Sequence, residues 1–446
     1  MTHRMRKQVA LSLAAMVALL LAGLAVAPRL AGATQSRKSL PGLTGFTTQT
    51  RVGFPAGDDW ETAVASDRFG HVYLLYKHYD VPGQTSCASC DLHVLLQISS
   101  DNGQTWSAPK ALDPEATNGG QFDSQIVVDP VDGRTVWASF LQNNKSSIAV
   151  MKTTDFGQTW SGPTIVENLQ RSTDKDELAV RGQTVAVSFN AAQKIYAAIS
   201  HDGGATWTTS LISAGGNQLG WSLGGGAGID SHGTIFFGFD GFTQNGGAKG
   251  PVNLFVAASR DGGATWTVTL VGVSGAPYPC SNCGFAFLGA QLTLAVGGDD
   301  SVNLLWNSTV DQTDYAPERI YFARSTDGGL TYSARQDVSL AAAGVEHCFP
   351  AIIAGGAGDV RIGWMDTRTG AWNLFERSSS NGGASWSGET RISSYVPGYS
   401  YLTSAGFGLP YGDYFQMAID SAGKTQIGWG ESDSYAGPGN IWVSHN

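Results

Sequence analysis

Charged side chains are scarce in this sequence. Its 446 residues include 27 Lys and Arg and 37 Asp and Glu, which together make up 14% of the chain. Coiled coils and long surface helices need dense Glu, Lys and Arg, so an architecture built on them is excluded. A charged, disordered chain is excluded as well, because 42% of the residues are hydrophobic and 10% are aromatic. The chain can therefore bury a large core.

Long apolar runs are lacking after the first 33 residues. Residues 1–33 combine a basic start, an apolar run from Val9 to Val26 and small residues from Ala31 to Ala33, an order that is typical of an export signal peptide. An uncleaved membrane anchor is the alternative, and no later segment is long and apolar enough for a second membrane span. We therefore expect a secreted or cell-envelope protein with one domain over residues 34–446.

Basic residues are fewer than acidic residues in this sequence. The predicted export segment holds four of the 27 basic residues and no acidic one, so the rest of the chain has 23 basic against 37 acidic residues, a formal net charge of −14. Phosphate recognition draws on clustered Lys and Arg, and the sequence contains no such run. Nucleic acids and anionic membrane surfaces are therefore poor candidates for a partner.

Cysteine is rare too, and the five copies form two Cys-x-x-Cys pairs and one single residue. They are Cys87, Cys90, Cys280, Cys283 and Cys348. In an exported protein, two local disulfides are expected, Cys87 with Cys90 and Cys280 with Cys283. The alternative is a Zn or Cu site that Cys280 and Cys283 share with His347 and Cys348. No other feature requires a cofactor.

Glycine, in contrast, is abundant, and much of it belongs to a repeat. The 58 glycines show no Gly-X-Y period, which excludes collagen, and they favour tight turns between short strands. The pattern Ser/Thr-x-Asp-x-Gly-x-Thr-Trp is written six times, with the Asp or Asn at Asp101, Asp155, Asp202, Asp261, Asp327 and Asn381. Successive copies are 47 to 66 residues apart, a spacing that is typical of four-stranded propeller blades.

The residue types of the repeat have a clear turn chemistry. The carboxylate or amide can accept backbone N–H groups just ahead of it, the glycine supplies a positive φ, and the aromatic ring closes over the hairpin. A calcium loop would need several closely spaced carboxylates, which are missing. The pattern resembles the Asp-box (BNR) repeat of sialidase-like β-propellers over almost the whole of residues 34–446, which implies an all-β propeller of four-stranded blades.

Strand-like segments predict the number of blades. Each repeat follows two such segments, and a seventh unit, from Tyr414 to Ser444, ends before any repeat. The segment from Gln49 to Gly53 is similar to Glu389 to Ser393, which follows the sixth repeat. The sequence therefore predicts seven blades, of which the last is completed by the N-terminal strand, because closure removes exposed sheet edges. Six blades and an appended unit are the alternative.

Propeller topology predicts which side chains share a face. The loops that enter each blade and those between its second and third strands lie opposite the repeats, and acids such as Asp123 and Asp174 enter blades there. Carboxylates can serve as general acid and base, and aromatic rings stack on sugars. The candidate catalytic residues are Asp59, Glu61, Glu346, Asp366, Arg368, Tyr411 and Asp413. The candidate ligand-binding residues are Trp60, Trp221, Tyr401 and Tyr414.

The resemblance also permits a test for a sialidase site. It implies three arginines for the substrate carboxylate, a Tyr nucleophile paired with a Glu, and an Asp acid/base, with the first Arg in a Phe/Tyr-Arg-Ile-Pro motif. That motif is missing, and the nearest Arg, Arg51, matches Arg391 in the repeat instead. Sialidase catalytic residues are therefore not transferred. Two hypotheses remain: a module that recognises a glycan, a polysaccharide or an extracellular protein, and a glycoside hydrolase or lyase.

Overall fold

The computed structural model consists of short antiparallel β-strands. It describes residues 45–54, 57–80, 92–114, 119–169, 173–191, 193–213, 219–244, 247–277, 289–399, 401–434 and 438–446. The predicted export segment lies outside these ranges, so its assignment stays a prediction. Within them, Val310–Gln312 form a short 3-10 turn. No helix in this part of the chain is long and apolar enough to cross a membrane.

The strands form seven blades, which we number I to VII from the N-terminus. The chain begins with β1 (Thr50–Val52). Blade I contains β2 (Gly57–Ser66), β3 (Val72–Asp80), β4 (Val94–Ser99) and β5 (Lys110–Ala111). Blade II contains β6 (Phe122–Val128), β7 (Val136–Gln142), β8 (Ser147–Thr153) and β9 (Ser161–Asn168). Blade III contains β10 (Glu177–Arg181), β11 (Thr184–Ala191), β12 (Lys194–Ser200) and β13 (Thr208–Ser213).

The remaining blades continue the same order. Blade IV contains β14 (Ser222–Ile229), β15 (Ile235–Phe242), β16 (Val252–Ser259) and β17 (Thr267–Ser274). Blade V contains β18 (Leu292–Val296), β19 (Val302–Thr309), β20 (Glu318–Ser325) and β21 (Gln336–Asp337). Blade VI contains β22 (His347–Ala354), β23 (Val360–Asp366), β24 (Asn373–Ser379) and β25 (Thr390–Arg391). A hairpin of β26 (Leu402–Thr403) and β27 (Gly406–Phe407) and the short β28 (Leu409–Pro410) precede blade VII, which contains β29 (Gln416–Ile419), β30 (Thr425–Ser432) and β31 (Asn440–His445).

The N-terminal strand completes blade VII. β1 pairs antiparallel with β31, and Arg51 lies opposite Trp442. The Gln49 amide strengthens this junction, because its Nε2 donates to Glu431 and its Oε1 accepts the Ser394 N–H at 2.6 Å. The predicted closure and the count of seven blades are confirmed, and the six-bladed alternative is wrong.

One buried aromatic ring per blade accounts for much of the core. Each ring lies at the fifth or sixth residue of the second strand and is almost completely buried. The seven rings are Tyr76, Phe140, Phe189, Phe239, Trp306, Trp364 and Trp429. The apolar side chains form seven clusters, and each cluster joins two neighbouring blades. Because the strands are covered on both faces, the chain has few positions for solvated charge.

The six repeats adopt the turn that their residue types predict. In blade IV, the Ser259 hydroxyl accepts the Gly263 N–H at 2.7 Å and donates to Asp261 Oδ1. The Asp261 carboxylate also accepts the backbone N–H and the hydroxyl of Thr265, and these hydrogen bonds lower its pKa to about 2. In blade VI, Asn381 replaces the acid and accepts the Ser385 N–H at 2.9 Å.

Side chains near these turns also join neighbouring blades. A Lys, Arg, His or Gln of one blade bonds to a backbone carbonyl of the next blade on the face that carries the repeats. The pairs are Lys110 with Gly157, Lys152 with Gly203, His201 with Gly262, Arg260 with Gly328, Arg361 with Gly423 and Gln426 with Asn102. Several of the few basic residues therefore stabilise blade contacts.

The buried hydroxyl of the repeat turn gives a first prediction. Ser259→Ala should lower the free energy of unfolding by about 1 to 3 kcal/mol, because the Gly263 N–H loses its acceptor. Urea unfolding followed by tryptophan fluorescence measures this difference. Ser380→Ala is the control, because Ser380 is exposed in the turn of blade VI and its loss should be neutral. Equal stability of the two variants would contradict the structural role of the hydroxyl.

Candidate functional site

The inner strands become irregular where they reach the face opposite the repeats. Glu61, Asp123 and Phe349 interrupt the pairing of β2, β6 and β22, and their φ angles are 53°, 49° and 51°. Lys175, with φ 51°, lies just before β10. Non-glycine residues adopt this left-handed backbone at a cost, and a β-bulge changes the direction of the side chains around it. In blades I, II and III, the residue with the left-handed backbone is ionisable.

Glu61 meets Lys175 and Asp413 at the centre of this face. Lys175 Nζ lies 2.9 Å from Asp413 Oδ1 and 4.8 Å from the centre of the Tyr414 ring. The Glu61 carboxyl forms a hydrogen bond with that of Asp413, and burial together with the negative Asp413 and Asp123 raises the pKa of Glu61 well above its usual range. The Glu61 and Asp413 carboxyls therefore interact directly.

A second carboxyl pair stands beside the first. Lys145 Nζ lies 2.6 Å from Asp174 Oδ1 and 3.6 Å from Asp123 Oδ2. Burial and the neighbouring Asp123 raise the pKa of Asp174 to about 7, whereas Lys145 and other donors outweigh burial and lower the pKa of Asp123. We call Glu61, Asp123, Lys145, Asp174, Lys175 and Asp413 the mouth cluster.

The mouth cluster meets the central channel at Lys175. Inner strands of all seven blades line this cavity of about 990 Å³. The Gln416 side chain links blade VII to blades I and II. Its Nε2 donates to Gln125 of blade II, and its Oε1 accepts the Val64 N–H of blade I at 3.2 Å. Glu177 lines the wall next to Lys175, and burial raises the pKa of Glu177 to about 7 although its carboxylate accepts the Gly226 N–H. The channel therefore has polar, titratable groups near the cluster.

Aromatic rings flank the cluster on the side of blades I and VII. The Trp60 ring is half-buried and lies edge-on to Tyr411, with 4.8 Å between the ring centres, while Tyr79 is 5.7 Å away. The indole N–H donates to Asp58 at 3.0 Å, which fixes the ring plane. A half-buried, oriented indole is a suitable surface for a sugar ring.

The structure separates the remaining sequence candidates from the cluster. Trp221 is exposed on blade IV, and Tyr401 is half-buried in the segment before blade VII. Asp59 is fully buried and bonds to His78 Nδ1 at 2.5 Å, and burial raises the pKa of Asp59 to about 6. Within the described ranges, no hydrogen bond or ion pair joins Trp221 or Asp59 to the mouth cluster, so we assign both a local role.

Two further candidates form an ion network within blade VI. Arg368 Nη2 lies 2.5 Å from Asp366 Oδ2, and the same guanidinium bonds to Glu389. Asp366 is fully buried and also accepts the Trp364 N–H at 3.0 Å. This network saturates the polar atoms of Asp366 with partners of its own blade, so it serves blade VI.

Glu346 and His347 lie where the chain enters blade VI. The Glu346 carboxylate accepts the Glu318 N–H at 3.1 Å, and burial raises the pKa of Glu346 to about 7. His347 bonds to the Ser339 hydroxyl through Nε2 at 2.6 Å and to the Glu318 carbonyl through Nδ1 at 2.7 Å, while burial lowers its pKa. Both ring nitrogens of His347 are therefore occupied within the protein.

The metal hypothesis gains no support from the described ranges. They contain no group of three or more His, Cys, Asp or Glu side chains that could hold a metal ion. Cys348 is a buried free thiol, and burial raises its pKa. Cys87, Cys90, Cys280 and Cys283 lie outside the described residues, so the predicted disulfides and the Zn or Cu site stay predictions.

Lys145 is a member of the mouth cluster that the sequence analysis does not select. It follows Asn143 and Asn144, and all three residues have a positive φ. Such a turn between two strands of blade II carries a local signal in its two Asn residues. The sequence does not show that the turn brings the lysine to Asp174, 29 residues further along the chain.

The arginines do not form a sialidase-type triad in the described ranges. Arg51 donates to the Phe54 carbonyl, Arg319 pairs with Asp337, and Arg368 pairs within blade VI. These three side chains belong to contacts at different blades. The mouth cluster instead contains carboxyls and two lysines.

Comparisons with known proteins agree with this architecture. The fold is a seven-bladed β-propeller, and residues 48–227 match the family model of the BNR repeat-like domain. The resemblance to Asp-box repeat propellers is thereby confirmed. No curated protein matches the chain.

Several solved structures are similar to the chain at low sequence identity. A protein of unknown function from Dyadobacter fermentans is 12% identical, and the match covers 90% of this chain and 99% of that one with a TM-score of 0.50. An ulvan lyase of polysaccharide lyase family PL25 is 10% identical over 88% of this chain and 95% of that one, with a TM-score of 0.50. The Hadza microbial sialidase Hz136 is 14% identical over 86% of this chain and 65% of that one, with a TM-score of 0.42.

Removal of the Lys175 charge should destabilise the folded protein, because buried carboxyls then lack a counter-charge. Lys175→Met should lower the free energy of unfolding at neutral pH by about 3 to 5 kcal/mol, because Asp413 and Glu61 lose their counter-charge. Adding Asp413→Asn should recover part of this loss, and urea unfolding of the four proteins completes a double-mutant cycle. Lys194→Met on the exposed part of β12 is the control. A cycle without coupling would refute the ion pair.

The raised carboxyl pKa values predict the pH dependence of stability. Glu177 has a pKa of about 7 in the folded protein, which is above its value in the unfolded chain. At pH values between these two pKa values, the folded state therefore binds more protons than the unfolded state. Stability should therefore fall as the pH rises from about 4 to about 7 and then level off. Glu177→Gln should reduce this fall in thermal melts between about pH 4 and pH 8. An unchanged pH profile in the variant would contradict the shift.

Proposed function

We propose that the protein is a secreted carbohydrate-recognition propeller that binds a glycan at the mouth of its central channel. The observation that carries the proposal is the half-buried Trp60 ring, which Tyr411 and Tyr79 hold beside the mouth cluster. The ring offers a face for a sugar, and the carboxylates and lysines offer acceptors and donors for its hydroxyl groups. The predicted export signal is consistent with an extracellular glycan.

The spacing of the carboxyls favours binding over hydrolysis. Glu61 and Asp413 share a hydrogen bond, and so do Asp123 and Asp174. Glycosidases that use two carboxyls hold them about 5 to 5.5 Å apart when they retain configuration and about 6.5 to 9.5 Å apart when they invert it. A directly bonded pair leaves no room for the scissile bond between its members.

A glycoside hydrolase or lyase is the second candidate, and Glu177 favours it. This carboxyl lines the channel wall, and its pKa of about 7 lets it donate or accept a proton at neutral pH. A solved ulvan lyase with the bound unit -[GlcA(1-4)Rha3S]- has this fold, which provides a precedent for carbohydrate on such a propeller.

A glycan array with purified residues 34–446 tests recognition. We expect a defined set of glycans to bind, and Trp60→Ala should weaken the affinity about tenfold or more. Phe69→Ala is the matched control, because Phe69 is an exposed ring on the face that carries the repeats. Binding that survives Trp60→Ala, or no binding to any glycan, would falsify the proposed site.

Product analysis separates the two candidates. The bound glycans are incubated with the protein, and new ends or unsaturated products are measured by mass spectrometry. The recognition hypothesis predicts no products. If products form, Glu177→Gln should abolish them and leave glycan binding intact, as expected for a proton donor rather than a binding group.

A further inference from the structure

A row of half-buried aromatic rings continues from Trp60 along the face opposite the repeats. Tyr79 lies near the end of β3, and its ring centre is 5.7 Å from that of Trp60. Phe122 is the first residue of β6 in the next blade, so Tyr79 and Phe122 both lie at the strand ends of this face. All three rings are partly exposed. The row therefore extends from blade I to blade II.

The Lys77 side chain holds two of these rings in place. Its Nζ lies 4.5 Å from the centre of the Tyr79 ring and 4.6 Å from the centre of the Phe122 ring. Lys77 is only 2% exposed, and an ammonium group removed from water interacts strongly with the face of an aromatic ring. The two rings are therefore oriented before a ligand arrives, which lowers the entropic cost of binding.

The far end of the row lies at the mouth cluster. Lys145 Nζ is 5.3 Å from the centre of the Phe122 ring, and Phe122 directly precedes Asp123, which interrupts the pairing of β6. Burial and the nearby Glu61 raise the pKa of Tyr79, as expected for a phenol that lies close to a carboxylate. A ligand on the row is therefore close to ring faces and to charged groups at once.

A chain of sugars matches this combination. Each sugar has an apolar face that packs against an aromatic ring, and hydroxyl groups around its rim that need hydrogen-bond partners. Aromatic side chains in a row contact successive units of a chain, as they do with successive bases of a single-stranded nucleic acid. A single terminal sugar would contact one ring and leave the others without a ligand.

We infer that Trp60, Tyr79 and Phe122 bind successive sugars of a linear oligosaccharide that crosses blades I and II. The inference rests on the proposed function and adds the class of ligand, a chain and not a single terminal sugar, together with two binding residues, Tyr79 and Phe122. Affinity should rise with chain length until the row is filled, because each ring adds a contact.

Paired dimers and hexamers of four sugars test the inference. The probes are linear oligomers of glucose, N-acetylglucosamine, xylose and galacturonate, and each is titrated into purified residues 34–446 in a calorimeter. For at least one sugar, we expect the hexamer to bind at least about tenfold tighter than the dimer. The comparison of two lengths of one sugar keeps the chemistry of each unit constant.

Two phenylalanines of blade II connect the gain in affinity to the row. Phe122→Ala should weaken binding of the hexamer about fivefold or more, because one stacking contact is lost. Phe156→Ala is the matched control: Phe156 is a half-buried ring on the face that carries the repeats, and it also lies against a cation, with Arg134 4.8 Å from its ring centre. Tyr79→Ala is a second variant in the row, so the misfolding of one variant, seen as a lowered melting temperature, leaves the other as the test.

The outcomes distinguish the inference from the function on which it rests. If no hexamer binds tighter than its dimer, or if the gain survives both Phe122→Ala and Tyr79→Ala, the inference is overturned. Array glycans that bind through one terminal sugar, whatever the length of the chain behind it, also overturn the inference and leave the proposed function standing. A protein that binds no glycan at all refutes the proposed function itself.

Discussion

Each blade of this propeller depends on its two neighbours, because the apolar clusters lie between blades and not within them. Blade VII therefore needs a partner on both sides and a fourth strand, and the pairing of β1 with β31 supplies that strand. The Gln49 amide joins the N-terminal strand to Glu431 of the same blade and to the connection from blade VI. The ends of the chain thus close the ring, and the other blade contacts rely on that closure.

The closed ring permits irregular backbone at its inner edge. Glu61 and Asp123 adopt a left-handed backbone that costs free energy. The strands on either side of each bulge are paired and covered by neighbouring blades, so the scaffold holds these residues in place. Bulges at the ends of inner strands convert a repeated structural element into a set of converging side chains. The regular part of each blade provides stability, and the irregular part provides the site.

Charge is distributed in the same way. The chain has few ionisable residues, and those on the repeat-bearing face are used in turns and blade contacts, as Asp261 and Arg260 show. At the channel mouth, in contrast, Glu61 lies close to Asp413 and Asp123, and Glu177 is shielded from solvent, so the pKa values of Glu61 and Glu177 rise. Burial of like charges is unfavourable unless a ligand or a proton offsets it, which is why we propose the mouth, rather than the repeats, as the functional part of the molecule.

The candidate site was only partly predictable from the sequence. Glu61, Asp413 and Tyr414 were selected from their loops, and the structure brings them together around Lys175. Asp366 and Arg368 were selected on the same grounds but are used within blade VI. Loop position identifies the face on which a side chain lies, and it does not tell whether that side chain turns to the channel or to its own blade.

By itself the sequence determined the repeat turns and the closed ring of seven blades. The bonds of a turn, such as those from Ser259 to Gly263 and Asp261 to Thr265, lie within a few residues, so residue types suffice to specify them. Only the tertiary structure decided that Glu61 and Asp413, which lie on blades at opposite ends of the chain, share one hydrogen bond. Such a contact depends on the backbone direction at each bulge and on the closure of the ring, and neither is encoded locally.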